Sequence, residues 1–478
     1  MSSTSPMKLL ISALLALSAS GALAYDAIII GGGLSGLSAS KELAKAGKNY
    51  TVLEARDRVG GRVHNKKVGK NGYTEVGAEF IGPTQNDVQA LAKELNLKLF
   101  NTYNKGSDVF WDGKKAQKFA SNGIFGAIPP EDPVSLAQLA SLQSKLDNMA
   151  SKIGVGSPWK HPKAKEWDSM TAHDWLEKEK ASKTVYTIIE VALEEIFSAK
   201  ASEMSLLYVV SYVAAGGDKK NKGTFERLTL TAKGAQQWRV SGGTYLLATH
   251  LAQKLGNNIK LNSPVKSITK THSGYAVQTK SNTTYSGKHV IVAMSPPMAD
   301  TITFRPALPR NRKKLQQMMK MGKLGKGIAI YDKPFWRNKG LTGQVISMNG
   351  TTRATFNSTP EDKSFGAMMC FIQAEAMTRY DHTPLDELKG ALTSDLVHYY
   401  GAQAKTPKSW VFNRWDDEEY SQGAPTAWAP PNTLSQYGTA LRQPVGNIHF
   451  AGTESSDYWQ GYMDGAIRAG KRAAAEVH

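Results

Sequence analysis

The feature that constrains this chain most is a glycine-rich turn between a mostly apolar strand and a helix. The predicted strand Tyr25–Ile30 leads into Gly31-Gly32-Gly33-Leu34-Ser35-Gly36, which has the G-x-G-x-x-G spacing. The turn opens a helix that Gly47 ends. A second strand, Tyr50–Leu53, then leads to Glu54. This order of strand, turn, helix, strand and acid predicts a βαβ unit that binds a dinucleotide.

Each residue of this motif has a separate physical role. Gly31 permits the tight turn, Gly33 lets the backbone approach a pyrophosphate, and Gly36 permits close packing of the helix on the strand. The helix N-terminus then binds phosphates through its backbone N–H groups and its dipole. Glu54 is predicted to accept a hydrogen bond from a ribose hydroxyl. A glycine-rich turn without a ligand is the alternative, and the flanking strands and the acid argue against it.

The residues after Glu54 narrow the choice of dinucleotide. Arg56 and Arg62 lie in a basic, glycine-containing turn and can add charge-assisted hydrogen bonds to phosphate. No second G-x-G-x-x-G follows a strand, since the glycine cluster at 322–327 has another order and no confirming acid. One such site suits a tightly held flavin and leaves no obvious place for NAD(P). Reducing equivalents are then expected to leave to a small acceptor, of which oxygen is the available one outside the cell.

The rest of the chain predicts sheet segments that flank helical segments. Apolar residues recur at three- and four-residue steps from Leu136 to Ile153, after a cap at Asp132 and Pro133. Further elements are expected as follows: a capping box at Thr171 and Asp174, strands at Leu261–Ile268 and His289–Ala293, and a helix from about Gly461 to Val477. The alternation indicates two domains whose segments interleave.

Composition excludes several classes of protein. With 478 residues, 41% hydrophobic and 21% charged, the chain can bury a large core and is neither disordered nor fibrous. Its single cysteine, Cys370, excludes an intrachain disulfide framework and a cysteine-based zinc site, and no metal ion is expected. The net charge of +18 is spread in short runs without a binding module, which favours a solvated basic surface over a nucleic-acid partner.

Residues 1–24 have the pattern of a secretory signal peptide. Lys8 supplies the positive charge, Leu9–Leu17 the apolar stretch and Ala22-Leu23-Ala24 the cleavage pattern. An uncleaved apolar tail is the alternative, because the first strand begins directly at Tyr25. The apolar stretch is too short to span a membrane. Four N-x-S/T sequons suit secretion, at Asn49, Asn282, Asn349 and Asn357. A secreted, glycosylated protein is therefore predicted.

Several motifs along the chain carry a family resemblance. They are IIIGGGLSGLSA, LEARDRVGGRV, VGAEFIGPTQN, SPWKHPKAKEWDSMT, VIVAMSPP, YDKPFW and HFAGTESSDYWQGYMDGAIRAGKRAA. Together they make the chain, from Tyr25 to its C-terminus, resemble the flavin-containing amine oxidase family of the monoamine oxidase type. This resemblance implies FAD as the cofactor and oxidation of a small amine to an imine, with oxygen reduced to hydrogen peroxide.

The resemblance also implies the fold, which is α/β. A doubly wound, Rossmann-like FAD-binding domain is interleaved with an α+β substrate domain built from a mixed sheet and helices. We expect residues 25–99, 241–315 and 418–478 in the first domain, and 100–240 and 316–417 in the second.

Site residues are implied position by position. The flavin contacts would be Ser35, Glu54, Arg62, the backbone of Gly77 and Ala78, Val265, Glu454, Tyr462 and Met463, with Arg56 beside them. Gln85 stands in the matching GPTQN segment. Lys326 matches a lysine that holds a water at the flavin, and Trp415 a tryptophan packed near it. These two residues and Tyr462 are the predicted catalytic residues. Gln236, Trp428 and Phe80 are expected in the substrate pocket. An ordinary surface lysine and ordinary core aromatics are the alternatives.

Three positions depart from the family pattern. Where many relatives carry the cysteine that bonds to the flavin, this chain has Ala424, and Cys370 reads as a core residue, so we expect non-covalent FAD. Pro425 replaces an aromatic that usually faces Tyr462 across the substrate. Either Trp428 takes that place or the cage is half-open. Glu79 replaces a small or uncharged residue, and it is either solvated or directed at the substrate.

Rival functions remain open at this point. The chain could oxidise or desaturate an amine-bearing intermediate of secondary metabolism. An L-amino-acid oxidase would need an arginine for the substrate carboxylate, which the sequence does not place. A basic binding protein that carries a flavin without catalysis is a remote alternative.

Overall fold

The structure, a computed structural model, describes residues 24–70, 72–120 and 132–478. Its strands are β1 Tyr25–Ile30, β2 Tyr50–Leu53, β3 Asn65–Val68, β4 Gly72–Glu75, β5 Leu99–Asn101, β6 Ser107–Trp111, β7 Ala116–Ala120, β8 Trp238–Val240, β9 Ile259–Lys260, β10 Val265–Thr271, β11 Gly274–Thr279, β12 Thr284–Val292, β13 Thr303–Arg305, β14 Lys320–Met321, β15 Gly325–Tyr331, β16 Leu341–Ser347, β17 Ala354–Asn357, β18 Gly366–Ile372, β19 Ser409–Arg414, β20 Ala427–Trp428 and β21 Ile448–Phe450.

The α-helices are α1 Leu34–Lys45, α2 Asn86–Glu94, α3 Pro133–Lys152, α4 Ala164–Asp168, α5 Ala172–Lys178, α6 Lys183–Phe197, α7 Leu206–Ala215, α8 Phe225–Thr229, α9 Tyr245–Leu255, α10 Pro296–Ala299, α11 Arg310–Met318, α12 Phe335–Asn338, α13 Ala374–Arg379, α14 Leu385–Tyr400, α15 Leu434–Tyr437 and α16 Met463–Ala475.

The predicted βαβ unit lies in the parallel part of the larger, eight-stranded sheet. Strand β1 lies between β12 and β2 and is parallel to both, and β9 and β21 extend the parallel part. On the far side, β11 pairs antiparallel with both β10 and β12. Helices α1 and α16 pack closely against each other, since a Cβ on Gly470 would lie 2.1 Å from the Ser35 carbonyl oxygen. The βαβ unit predicted from the turn and the doubly wound architecture implied by the resemblance are both confirmed.

The second sheet carries the other half of the site. Seven strands lie in the order β19-β15-β18-β17-β16-β6-β7, in which only β16 and β6 run parallel. Strand β15, the second in this order, is buried along its whole length and pairs with β18 and β19 on its two edges. This sheet is mixed, as predicted. The domain boundaries given above stay a prediction.

The helical segment between these sheets follows its local signals. Asp132 accepts hydrogen bonds from the first amides of α3, and Thr171 and Asp174 form the predicted capping box of α5. Helix α7 is buried on every side, which agrees with its almost wholly apolar sequence. It lies in one apolar cluster with α3 and α6.

One expectation changed at the level of elements. The strand predicted at 261–268 begins only at Val265, because residues 261–264 form an irregular segment that contains Pro264 and separates β9 from β10. Proline lacks the N–H that a continuous strand would need there.

Among residues 24–70, 72–120 and 132–478, no helix is both long and apolar enough to cross a membrane. All of the predicted signal peptide except Ala24 lies outside the described residues.

Candidate functional site

A cavity of about 530 Å³ extends from the glycine-rich turn to the ends of helices α6 and α8. Its volume lies within the range of sites for cofactors and drug-sized ligands. One end is lined by the turn after β1, and the other by Ile196, Tyr212, Leu228 and Gln236. Residues of the second sheet, among them Lys326, also line the cavity.

The glycine-rich turn has the geometry expected for phosphate binding. Gly31 has φ +105°, and a Cβ on Gly36 would lie 1.9 Å from the Gly31 carbonyl oxygen, so both positions require glycine. A Cβ on Gly33 would meet no atom closer than 3.9 Å and would extend into the cavity instead. Helix α1 has no side-chain cap and no acidic residue in its first turn, so its N-terminal amides are available to an anion.

Glu54 organises the second side of this turn. Its carboxylate accepts hydrogen bonds from the backbone N–H of Gly32 at 2.6 Å and of Arg56 at 2.9 Å. The side chain is buried and lines the cavity beside Arg56. The Arg56 guanidinium is bonded to Glu418 at 3.2 Å. Glu54 therefore links the glycine-rich turn to the loop that follows β2. It also lies where the sequence predicts a contact with a ribose.

Arg62 lines the cavity and forms an ion pair with Glu454, which does not line it. The Arg62 guanidinium donates to the Glu454 carboxylate at 2.8 Å and to the Pro425 carbonyl oxygen at 2.9 Å. Glu454 itself is buried and also accepts from the Ala427 amide, and the nearby Arg62 charge helps to hold its pKa below the ordinary range against the effect of burial. Glu454 thus positions Arg62 and lies outside the cavity lining.

Helix α16 directs its N-terminus at the same cavity. Tyr462 is its N-cap, and Met463 and Ala466 line the wall. The side chain of Asp464 accepts from the first amides of α2, at Asp87 and Val88, and burial raises the pKa of Asp464 to about 7. This link fixes α16 to α2, so the helix N-terminus has a defined position.

Lys326 lies in a buried cluster of four charged side chains. Its ammonium donates to the Gly77 carbonyl oxygen at 2.7 Å and lies 3.6 Å from the Glu79 carboxylate. Arg239 is bonded to Glu79 at 2.9 Å and to Glu75 at 2.6 Å. The formal charges of these two acids and two bases cancel. Burial lowers the pKa of Lys326, and the two carboxylates oppose that shift.

This cluster settles the open question about Glu79. The side chain is buried, bonded to Arg239 and to the Ser358 hydroxyl at 2.6 Å, and it lines the cavity next to Lys326. It is not solvated. Sequence reasoning missed Arg239 and Glu75, because their pairing joins residues 164 positions apart.

Aromatic residues form much of the remaining wall. Trp415 is buried, lines the cavity and donates to the Val76 carbonyl oxygen at 2.8 Å. The ring of Tyr462 lies 5.9 Å from that of Tyr212, a residue that sequence reasoning missed within the apolar helix α7. Phe80 packs against Phe356 at 5.7 Å. Phe80 and Gln236 both line the cavity, as predicted.

Most of the predicted site residues lie together at this cavity. The lining includes Gly31, Gly33, Ser35, Glu54, Arg56, Arg62, Gly77, Ala78, Val265, Lys326, Trp415, Tyr462 and Met463. Gly36 packs beneath the turn. Gln85 is buried at the start of α2, outside the lining. Trp428 is also outside it, packed in the core around α6 and α7.

The place of Trp428 decides between the two forms of the substrate cage. Pro425 and Ala424 line the cavity, and Trp428 does not come to the wall beside them. The structure therefore favours the half-open cage. Cys370 is fully buried in β18, where its neighbours in register are Gly327 and Thr355, and lies outside the cavity lining.

The residues of this site fit FAD. The open position over Gly33, the free amides at the start of α1 and the buried Glu54 provide what a pyrophosphate and a ribose require. No group of three or more metal-ligating side chains with suitable geometry occurs in the described part of the chain.

Comparisons with known proteins agree with this geometry. The model of a family described as flavin-containing amine oxidoreductase matches residues 34–478. The chain is 33% identical over 465 residues to the probable flavin-containing monoamine oxidase A of Dictyostelium discoideum, covering 95% of this chain and 97% of that protein.

Two solved structures are similar over the same range. A putrescine oxidase bound to putrescine matches with a TM-score of 0.89 and 28% identity, covering 95% of this chain and 99% of that chain. The cyclohexylamine oxidase from Brevibacterium oxydans matches with a TM-score of 0.87 and 31% identity, covering 95% and 98%.

Proposed function

This chain belongs to the flavin-containing amine oxidoreductase family, and from that premise we propose how the residues of its cavity serve the reaction. The protein is an FAD-dependent oxidase that acts on an amine and uses oxygen as the electron acceptor. The single observation that carries the assignment of roles is the continuous cavity, which joins the phosphate-binding turn to an aromatic wall that contains Lys326, Trp415 and Tyr462.

FAD, when bound, would supply the redox chemistry: conversion of the amine to the imine releases two electrons and two protons, and these would reduce oxygen to hydrogen peroxide. Within the chain, the α1 N-terminus and Gly33 would hold the pyrophosphate, Glu54 a ribose and Arg62 a further acceptor of the cofactor. We infer that the cofactor is held without a covalent bond. Ala424 occupies the cavity wall, and Cys370 is buried away from it.

The aromatic end of the cavity selects the neutral form of the amine. A protonated nitrogen has no lone pair to assist loss of the α-hydrogen, and apolar surroundings disfavour the charged form. Tyr462 and Tyr212 present their rings here, and Trp415 is fixed by its bond to the Val76 carbonyl oxygen. These residues orient the amine and exclude water from it. Because Pro425 leaves the cage half-open, a bulkier amine can also be accommodated.

Lys326 supplies a positive charge at the oxygen-reacting part of the site. Its ammonium is fixed by the Gly77 carbonyl oxygen, and the pairing of Glu79 with Arg239 leaves its charge only partly compensated. A fixed cation in a buried site stabilises negative charge that develops on oxygen as it is reduced. Its role is therefore in the oxidative half of the cycle rather than in amine oxidation.

The arrangement argues against an L-amino-acid oxidase. A substrate carboxylate would need a free cation at the aromatic end of the cavity. The arginines in the described lining are Arg56 and Arg62, which lie at the dinucleotide end and are already bonded to Glu418 and Glu454. Lys326 is enclosed by backbone carbonyls and Glu79. An amine without a carboxylate fits better.

A panel of amines offered to the purified yellow protein tests this proposal. We expect peroxide formation and anaerobic bleaching of the flavin with aliphatic or aromatic amines, and no response to the matching L-amino acids. Protein heated until the flavin is released serves as the control for peroxide formed without the enzyme. If no amine reduces the flavin, the roles given to the cavity residues are wrong.

We also propose that the protein is secreted, on the basis of Lys8, Leu9–Leu17 and the Ala22-Leu23-Ala24 pattern. Of the four sequons, Asn357 is buried in β17, whereas the other three are exposed. Glycans are thus expected only at the exposed three. Expression of the full chain in a eukaryotic secretory host, followed by N-terminal sequencing and glycopeptide mass spectrometry of the medium, tests both points. A protein retained in the cells with residues 1–24 intact would contradict them.

A further inference from the structure

Glu195 differs from the other carboxylates of the cavity wall. The described lining contains four, namely Glu54, Glu79, Glu195 and Glu419. Three of them have partners: backbone amides for Glu54, Arg239 for Glu79 and Lys280 for Glu419. The side-chain carboxylate of Glu195, which lies within α6, makes neither a hydrogen bond nor an ion pair with any residue in the described ranges. It is therefore a carboxylate without a partner at the wall of the substrate cavity.

The charges nearest to Glu195 are already engaged with each other. Arg353 is bonded to Glu194 at 3.2 Å and to the Ser347 carbonyl oxygen. Arg353 and Glu194 line a separate cavity, in which Glu195 takes no part. Burial raises the pKa of Glu195 to about 8, an effect that Arg353 opposes and Glu194 adds to. The carboxylate thus lacks a counter-ion of its own, and a cation that entered the cavity would supply one.

The position of Glu195 along the cavity suits the far end of a substrate. It lies in the last turn of α6, next to Ile196, which also lines the wall. Phe197 packs against Tyr212 with ring centres 4.6 Å apart, and Tyr212 in turn lies 5.9 Å from Tyr462. Ile196, Tyr212 and Leu228 line the same cavity as Glu195 and Tyr462, and these apolar and aromatic side chains suit the hydrocarbon chain of a substrate.

We propose that Glu195 binds a second cationic group of the substrate, so that the preferred substrates are α,ω-diamines or longer polyamines rather than simple monoamines. This inference rests on the proposed amine oxidase activity. The reacting amino group lies neutral at the aromatic end near Tyr462, and the distal ammonium pairs with the Glu195 carboxylate. A half-buried ion pair of this kind discriminates between the two substrates, because a monoamine of equal length leaves the Glu195 carboxylate without a partner.

The experiment compares α,ω-diamines with n-alkylamines of the same carbon number in wild type and Glu195→Gln. The substitution keeps the size and removes the charge. We expect kcat/KM for the best diamine to fall 10- to 100-fold, whereas the value for the matched alkylamine stays within about threefold. Glu190→Gln is the matched control. Glu190 lies on the same helix but lines the separate cavity, and a glutamine oxygen can still accept from the Tyr186 hydroxyl.

A second variant separates a direct contact from a structural role. Glu195→Asp withdraws the carboxylate by one methylene group, so the optimum diamine should become longer by one carbon. An amino alcohol of the same length should respond to Glu195→Gln like the alkylamine, since it carries no distal charge.

Binding to the dithionite-reduced enzyme gives a readout that needs no turnover. Calorimetry should show the diamine binding the wild type at least tenfold more tightly than the alkylamine, and Glu195→Gln abolishing that difference. An unchanged ratio of diamine to alkylamine in Glu195→Gln, in turnover or in binding, would overturn the role of Glu195. A wild type that oxidises neither class but still prefers the diamine in calorimetry would overturn the proposed activity instead.

Discussion

Replacing Lys326 by methionine should separate the two halves of the catalytic cycle. Methionine has an unbranched side chain of similar length, so it fills the same space without the charge. We expect anaerobic reduction of the flavin by a good amine to change less than threefold. Reoxidation by oxygen should slow 10- to 100-fold, which corresponds to about 1.4–2.7 kcal/mol of barrier. The reason is that the ammonium fixed at the Gly77 carbonyl oxygen no longer stabilises negative charge on oxygen.

The same change should also cost stability, by an amount that the geometry sets. At 3.6 Å and an effective dielectric constant of about 20, the attraction between Lys326 and Glu79 is roughly 5 kcal/mol. Removing one member of a buried pair usually costs about 3–5 kcal/mol. The four-charge cluster becomes net negative in Lys326→Met. Adding Glu79→Gln restores neutrality, and a glutamine oxygen can still accept from Arg239 and Ser358.

The double variant Lys326→Met/Glu79→Gln is therefore the control that distinguishes the two effects. We expect it to recover most of the thermal stability lost in Lys326→Met and none of the lost oxygen reactivity. Stopped-flow absorbance of the flavin measures the two half-reactions, and thermal unfolding followed by flavin fluorescence measures stability. Wild-type reoxidation in Lys326→Met would refute the catalytic role. Recovery of reoxidation in the double variant would show that the defect came from the unbalanced cluster.

Three further predictions follow from the same contacts. Because burial lowers the pKa of Lys326, its charge is lost as pH rises through a value below the ordinary 10.5, so reoxidation should slow in alkaline solution in the wild type; the absence of any such pH dependence would contradict this. Glu54→Ala should weaken FAD binding by about 1–3 kcal/mol, because the ribose acceptor and the bond to the Gly32 amide are both lost, and fluorescence titration of the apoprotein checks it. With Ala424 in the cavity wall, acid denaturation followed by filtration should release all of the flavin; colour retained on the polypeptide would disprove non-covalent binding.

The dinucleotide end of the site was predictable because its determinants are local. A turn that needs φ +105° at Gly31 and no Cβ at Gly36 leaves a glycine pattern that survives as a short sequence motif. The capping box at Thr171 and Asp174 is readable for the same reason. Within such a short motif, residues that are close in sequence are also close in space, so the spacing of the residues in the sequence predicts their geometry.

The substrate end was less predictable because its determinants are tertiary. Arg239 reaches Glu75 and Glu79 from a distant part of the chain, and no spacing rule encodes that contact. Trp428 was one candidate for the missing cage aromatic because it lies three residues after Pro425. The core around α6 and α7 holds it instead, since burial of a large aromatic there outweighs its proximity in sequence. Glu195, next to Glu194, reads in sequence as one of two surface acids at a helix end.

Glu79 and Glu195 are the two carboxylates at the substrate end of the cavity, in a protein whose net charge is +18. They have opposite effects on the local charge of that cavity. Glu79 is matched within its cluster, so that Lys326 can remain charged in a buried position without a large net field at the aromatic wall. Glu195 is unmatched, so it adds a local negative charge at the other end of the substrate path once it is ionised. Oxygen reduction requires a fixed cation, whereas recognition of an amine requires an anion or an aromatic surface. Because these two charges lie on different elements, β15 for Lys326 and α6 for Glu195, each can be changed by substitution without removing the other.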